Sequence, residues 1–284
     1  MHKKLPNWLK KKIPDIKQVE ETRDILKRFN LNTICDNAKC PNIGECFSRH
    51  TATFMILGDV CTRNCRFCAV KHGIPLSVDK NEPKRLGKAV SELGLKYVVI
   101  TSVTRDDLND YGAGQFVDVI NVIRRHNPET KIEILTPDFK GEEDCVEQVV
   151  QSKPDVFGHN LETVPSLYEN VRQEADYRTS LNLLGMIKEF DSNIVTKSGI
   201  MLGLGETKKE VLKVMDDLSS VGCDLLTLGQ YLSPSQNHFP VKEFITPEMF
   251  EEYKKLAEDK GFIIASGPFV RSSYKADELF ASAS

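Results

Sequence analysis

Seven apolar runs punctuate the chain: Phe54–Gly58, Tyr97–Val103, Lys131–Thr136, Asp155–Leu161, Ile194–Leu204, Leu225–Leu232 and Phe262–Ser266. Most are continuous rather than alternating, which predicts strands covered on both faces. Between them apolar residues recur at helical spacing: Leu86, Ala89, Val90 and Leu93; Phe116, Val119, Ile120 and Ile123; Leu181, Leu184 and Ile187; Val211, Val214, Met215 and Leu218; Phe250, Tyr253 and Ala257. Strand and helix taking turns is the rhythm of a parallel sheet. The expected class is α/β, as a partial (β/α) barrel of about six units. A doubly wound sheet ranks second, because no strand-to-helix turn carries a dinucleotide fingerprint and Gly203-Leu-Gly205-Glu206 is only a fragment of one. Ahead of the first strand, Ile13, Ile16, Val19, Ile25 and Phe29 among charges predict an N-terminal helical arm.

A chain of 284 residues, 40% hydrophobic and 28% charged, buries a sizeable core, which excludes disordered, collagen-like and disulfide-stapled classes. Lys and Arg number 38 against 41 Asp and Glu, a balance that argues for neither a nucleic-acid nor a membrane-surface partner. No run approaches the roughly eighteen apolar residues of a membrane span, and the start has basic residues without a secretory apolar stretch, so the expected location is the cytoplasm. The first seventeen residues hold six Lys against one Asp. This is either a solvated terminus or a docking patch for an acidic partner, and both readings stay open.

Six of the eight cysteines crowd between Cys35 and Cys68. In a reducing compartment such crowding points to metal ligation or redox chemistry before disulfides. Cys61-x3-Cys65-x2-Cys68 follows the first predicted strand, on the barrel face where loops carry chemistry. Three thiolates on a four-iron cluster leave one iron open, whereas a closed zinc site wants a fourth donor, a place that His72 could take. The second group, Cys35-x4-Cys40-x5-Cys46, also stops at three. Cys145 and Cys223 sit in predicted core positions and read as buried apolar residues, which leaves a weak oxygen or nitrogen ligand, or none, for that fourth place. The adjacent pair Asp106 and Asp107 is expected to diverge as loop or capping residues rather than to form a catalytic dyad.

The spacing Cys61-x3-Cys65-x2-Cys68, with Phe67 before the last thiol, resembles the signature of the radical S-adenosylmethionine enzymes. With Ala38-Lys-Cys-Pro-Asn-Ile-Gly-Glu-Cys46 added, the chain is similar to one family among them, the lipoyl synthases. The likeness runs nearly end to end, through Leu5-Pro-Asn-Trp-Leu9, Thr101-Ser-Val-Thr-Arg-Asp-Asp-Leu108, His159-Asn-Leu-Glu-Thr163, Lys197 to Thr207, Gly229 to Ser235 and Gly267 to Tyr274. It departs at Thr104, Asn109-Asp-Tyr111 and Lys275, none of them a ligand.

The resemblance implies a barrel at residues 51–266, an N-terminal extension at 1–50 carrying Cys35, Cys40 and Cys46, and a C-terminal segment at 267–284, the two extensions closing over the barrel mouth. It implies two 4Fe-4S clusters, one on Cys61, Cys65 and Cys68 that binds S-adenosyl-L-methionine, and an auxiliary one on Cys35, Cys40, Cys46 and Ser273. The implied reaction inserts two sulfur atoms at C6 and C8 of an octanoyl chain on a carrier-protein lysine, with the auxiliary cluster as sulfur source. Because those carbons carry no acidic hydrogen, the chemistry is expected to be borne by the cofactors and no catalytic side chain is assigned. Polar residues at predicted strand ends, Thr101, Ser102, Asn160 and Glu162, together with Arg178, are candidates to hold S-adenosylmethionine. Implied partners are octanoylated lipoyl carrier domains (the glycine cleavage H protein and acyltransferase components of 2-oxo acid dehydrogenases), a ferredoxin or flavodoxin donor, and an iron–sulfur carrier for cluster repair. Another radical sulfur inserter or maturase, and a non-catalytic iron–sulfur or zinc module, are the competing readings.

Overall fold

The structure is a computed structural model that describes residues 5–10 and 16–283. Lys3, Lys4, Lys11, Lys12 and Ile13 of the expected basic arm lie outside the described residues. Seven parallel strands form the centre: β1 (Thr53–Ile56), β2 (Tyr97–Ser102), β3 (Lys131–Leu135), β4 (Val156–Gly158), β5 (Val195–Leu202), β6 (Leu225–Gln230) and β7 (Ile263–Gly267). Each of the seven expected strands is present, and β1 to β7 neighbour one another in chain order. A two-residue edge strand, Asn32–Thr33, pairs antiparallel with Phe54 and Met55 of β1. The order ends at β7 without returning to β1, so the barrel is open.

Helices follow the first six strands: α3 (Glu82–Leu93), α4 (Ala113–His126), α5 (Glu143–Gln151), α6 (Tyr177–Phe190), α7 (Lys208–Ser220) and α8 (Pro247–Glu258), after an N-terminal α1 (Ile16–Arg28) and α2 (Ile43–Ser48). That makes six βα units and a seventh strand. Outward strand residues such as Val98, Ile100, Ile132, Ile134, Phe157, Leu226 and Leu228 are buried under this helical layer, where most of the hydrophobic free energy of folding is gained. Alternate strand residues therefore point into the lumen. The Thr207 side chain and Glu210 close a capping box that starts α7, as the pattern T-x-x-E dictates. In α1 the buried stripe is Val19, Thr22 and Leu26, while Ile16 stays exposed. Apolar periodicity overlooks Thr22, whose hydroxyl donates to the Phe47 carbonyl at 2.7 Å and so can be buried beside α2.

The floor of the lumen is polar and paired. Lys197 Nζ lies 2.8 Å from Glu133 Oε1, both side chains 1% exposed, and the Tyr97 hydroxyl donates to Glu133 Oε2 at 2.6 Å. Below it, α9 (Ala276–Ala281) sets Leu279 and Phe280 against Val156, Leu225 and Ile263 at the starts of β4, β6 and β7. The C-terminal segment thus touches the mouth and then continues to the floor. Its passage is close: a Cβ on Gly229 of β6 would come within 2.1 Å of the Val270 carbonyl oxygen, so only glycine admits the strap there. Among the described residues no helix is long and apolar enough to cross a membrane.

Candidate functional site

At the end of β1, Leu57 and Gly58 take left-handed conformations (φ 69° and 94°) and turn the chain into the loop of Cys61, Cys65 and Cys68. Val60–Cys61 pairs with Lys71–His72, and the Cys61 sulfur accepts main-chain N–H groups from Arg63 at 3.4 Å and Thr104 at 3.3 Å. Arg63, between the first two thiols, anchors this loop to two other strand ends. Its guanidinium donates to Asp106 at 2.7 and 2.9 Å and to Asp138 at 2.6 and 2.7 Å. Asp107 instead clasps Arg105, at 2.9 Å through both oxygens, so the adjacent carboxylates diverge as expected.

The other thiol group stands at the open edge beside β1. Thr33 caps the single turn Ile34–Asn37 that carries Cys35, Lys39 adopts φ 51° before Cys40, and Cys46 lies in α2. The closing motif arrives from the far end of the chain. Thr53 Oγ1 donates to Ser273 Oγ at 2.7 Å, while the Thr53 main chain hydrogen-bonds Cys35. Two further contacts hold the strap: Asn42 Nδ2 donates to the Phe269 carbonyl at 2.7 Å, and the Tyr274 hydroxyl donates to Glu45 at 2.7 Å.

A cavity of about 500 Å³ fills the mouth of the barrel, and Cys61, Cys65, Cys68, Cys35, Cys40 and Ser273 all line it. Cys46 lines an adjoining cavity of about 430 Å³, whose wall also includes Cys35, Cys40 and Ser273. Thr101, Ser102, Asn160 and Glu162 line the larger one. Thr101 donates to the Leu135 carbonyl at 2.8 Å, Asn160 Nδ2 donates to Glu162 Oε1 at 3.1 Å, and Ser272 Oγ donates to Asn160 Oδ1 at 3.2 Å. Burial pushes the Glu162 carboxyl up against the opposing pull of Arg172.

Arg178 is not brought to this site. Asp176 caps α6 through the Thr179 N–H, and Arg178 in that first turn is exposed to solvent. Arg172, six residues earlier, lines the cavity instead, fixed by the Asn160 carbonyl at 3.1 Å, Ser180 Oγ at 3.2 Å and the Tyr168 hydroxyl at 3.3 Å. Both arginines sit in the same polar stretch with no periodic signal between them, and only the tertiary fold separates their roles. His159 was also missed. Its Nδ1 donates to the Thr136 carbonyl at 2.8 Å, which leaves Nε2 as an unpaired acceptor, and burial followed by the Arg172 charge lowers its pKa to about 4. Ser102 Oγ and Thr136 Oγ1 are likewise buried without partners in the same cavity wall. The Gly203–Glu206 loop binds no phosphate in this arrangement, because its N–H groups at Gly203, Leu204 and Gly205 are taken by Glu206.

The donor chemistry fits iron–sulfur ligation. Burial, acting first, pushes the Cys35 and Cys68 thiols up to about 12 and Cys65 up to about 11, so their thiolate forms call for an adjacent positive centre. Among the described residues no three His, Cys, Asp or Glu side chains gather tightly enough for one metal ion. His72 pairs with Cys61 through the backbone and its side chain is exposed. Unpaired polar atoms in the adjoining lumen fit a polar small molecule beside the thiols.

Open barrel and thiol loop together define a radical S-adenosylmethionine enzyme, and the radical SAM superfamily profile matches residues 55–218. Methylornithine synthase (PylB) superposes with a TM-score of 0.58 over 87% of this chain and 74% of that one, at 15% identity. HydG, a maturase of the FeFe-hydrogenase, gives 0.57 over 88% and 63%, at 16% identity. These two share the fold. Far closer in sequence is the lipoyl synthase of Caldicellulosiruptor saccharolyticus, 57% identical over 279 residues that cover 98% of both chains. That of Caldicellulosiruptor bescii is 56% identical over 96% of this chain and 94% of its own, and that of Alkaliphilus metalliredigens 53% over 97% and 96%. The chain belongs to the lipoyl synthase family.

Proposed function

We propose that the two thiol groups hold two 4Fe-4S clusters across one lumen, and that octanoyl chains on carrier-protein lysines are converted there to the dithiol form. When bound, the clusters and S-adenosylmethionine supply what side chains cannot: reductive cleavage of a sulfonium, hydrogen-atom removal at unactivated C6 and C8, and sulfide for the two new C–S bonds. The chain's own residues bind, orient and exclude water. Cys61, Cys65 and Cys68 are the ligands of one cluster, their loop fixed by Arg63; Cys35, Cys40, Cys46 and Ser273 are those of the other. Glu162 accepts from the ammonium or a ribose hydroxyl, Asn160 bonds the ribose, and Thr101 and Ser102 close the wall on the side of β2. Arg172, rather than Arg178, balances the carboxylate charge of Glu162 and of the ligand.

The observation that carries this reading is that thiols from both groups and Ser273 line the same cavity. A serine oxygen is a hard donor on a soft centre, which suits a cluster that must come apart. A ferredoxin or flavodoxin electron donor, an iron–sulfur carrier for repair and a cytoplasmic setting complete the proposal. Anaerobic analysis should find about eight iron per chain, and turnover with an octanoyl-lysine peptide should add two sulfur atoms, the dithiol then losing two hydrogens if it closes to a disulfide. A zinc-containing, sulfide-free protein that forms no 5′-deoxyadenosine would sink it.

A further inference from the structure

Five large apolar side chains are exposed among the described residues, and three of them, Leu5, Trp8 and Ile16, belong to the N-terminal arm. The other two, Ile74 and Leu76, share one loop and are 96% and 86% exposed. This loop is the outgoing limb of the turn that carries Cys61, Cys65 and Cys68. Phe67, Cys68, Ala69 and Val70 line the lumen, Lys71–His72 pairs with Val60–Cys61, and the Gly73 N–H donates to the Cys61 carbonyl at 2.9 Å. Its far end is also tied down. Asp79 accepts from Arg85 Nη1 and from the Asn81 N–H, each at 2.8 Å, and Gln115 Nε2 donates to the Asp79 carbonyl at 3.3 Å. Pro75 disfavours a helical turn at Ile74, and the segment holds both apolar side chains out in solvent. The ion pairs beside it balance, Lys71 with Asp59 and Arg85 with Asp79, and Glu82 is buried against the Leu57 N–H and Gln115. Lys80 and Lys84 are exposed, with no carboxylate in ion-pair reach among the described residues.

On the reading that the substrate chain is tethered to a carrier-protein lysine, its reacting carbons enter the lumen on a leash of about 16 Å from the lysine Cα to C8. The folded part of the carrier therefore rests on the rim of the barrel mouth. We infer that Ile74 and Leu76, flanked by Lys80 and Lys84, are the docking surface on that rim for the carrier domain, meeting an apolar patch bordered by carboxylates beside its acylated lysine. Apolar contact supplies the affinity, and the two lysines supply steering and a dependence on salt. Position selects the carrier over a second copy of this chain or an electron donor, because of the three it alone must place part of itself inside the lumen, and the loop grows directly from the turn that lines it.

The test measures binding of an octanoylated glycine cleavage H protein to the anaerobic holoenzyme by isothermal calorimetry. Affinity should fall about 10- to 100-fold in Ile74→Asp/Leu76→Asp and less than about twofold in Ile74→Leu/Leu76→Met. Lys80→Glu/Lys84→Glu should weaken binding about three- to tenfold and flatten its dependence on salt. Product formation from a short octanoyl-lysine peptide, which lacks a folded carrier surface, should match the wild type in every variant, as should iron content and melting temperature, since both apolar side chains are exposed. A carrier that does not bind the wild type, or binds the Asp variant equally well, overturns the inference, and so does an equal loss with the peptide. A wild-type dimer in light scattering that the Asp variant splits also overturns it, as does slower reduction by flavodoxin with unaltered carrier affinity. The reading beneath it fails separately, if the wild type makes no dithiol from either substrate; carrier affinity across the variants still decides the docking surface.

Discussion

Replacing Arg63 by methionine should be among the most destabilising single changes at the site. The Arg63 side chain is 4% exposed and that of Asp138 3%, while Asp106 is 22% exposed. The substitution therefore strands the charge of the almost fully buried Asp138 carboxylate, which keeps the Lys140 N–H at 3.0 Å, while the partly buried Asp106 keeps Lys140 Nζ at 3.4 Å. Breaking a buried pair from one side costs about 3–5 kcal/mol, a factor of roughly 10² to several 10³ in the folding equilibrium. Asp138→Asn should cost less, about 2–3 kcal/mol, since Arg63 keeps its bidentate bond to Asp106. The double variant should fall short of the sum, with a coupling of about 1–3 kcal/mol. Urea unfolding followed by far-ultraviolet circular dichroism measures these differences, and iron analysis reads the consequence for the Cys61–Cys68 loop. The pH dependence gives an independent check. Burial alone would raise the Asp138 carboxyl, but the hydrogen bonds and charge of Arg63 outweigh it and hold the group well below the usual carboxylate range. Its contribution is then fully present above the unfolded value near about 4 and is lost as pH falls toward the folded one, a dependence Arg63→Met should flatten. A cost below about 1 kcal/mol, typical of exposed pairs, would refute the anchoring role.

Three other outcomes are expected. Ser273→Cys should retain about eight iron per chain yet lose most dithiol product; full activity would remove the argument for a weak oxygen ligand. His159 is neutral when folded, with a pKa moved from 6.5 to about 4, so stability present above pH 6.5 should decline by about 3 kcal/mol as pH falls to 4. In His159→Gln that slope should vanish, as read from urea midpoints across the range. Glu162→Gln should weaken S-adenosylmethionine binding about 10- to 100-fold by calorimetry, the worth of a charge-assisted hydrogen bond, while Arg178→Ala should change it less than about twofold.

Most of the fold was legible because its signal is local. Continuous apolar runs marked every barrel strand, and helical periodicity marked the layer outside them. The expectation exceeded the structure where backbone geometry changes without a change in hydrophobicity. The apolar pattern carries on to Leu161, but β4 ends at Gly158, where the chain turns to line the cavity and Glu162 takes φ 66° with a bridge to Ile200. Lys197 and Glu133 illustrate the opposite failure. Both sit inside strands where a charge looks misplaced, and only the lumen explains why each is tolerated: the other is 2.8 Å away.

At the site, legibility depended on whether a residue's role is set by spacing or by a distant partner. Cys61, Cys65 and Cys68 are close enough in sequence for their convergence to be read directly. Ser273 acquires meaning only by meeting Thr53, 220 positions earlier, and Arg63 only by meeting Asp106 and Asp138. The same logic accounts for the open barrel. A closed one would pair β7 with β1; here the two-residue strand Asn32–Thr33 takes the free edge of β1 instead, and the strap from Gly267 onward brings Ser273 to Thr53 at the start of β1. The glycine at position 229 is the local condition for this. A side chain there would displace the Val270 carbonyl and, with it, the strap that delivers Ser272 to Asn160 and Ser273 to Thr53. Incomplete closure of the sheet is therefore what lets residues from opposite ends of the chain face one cavity.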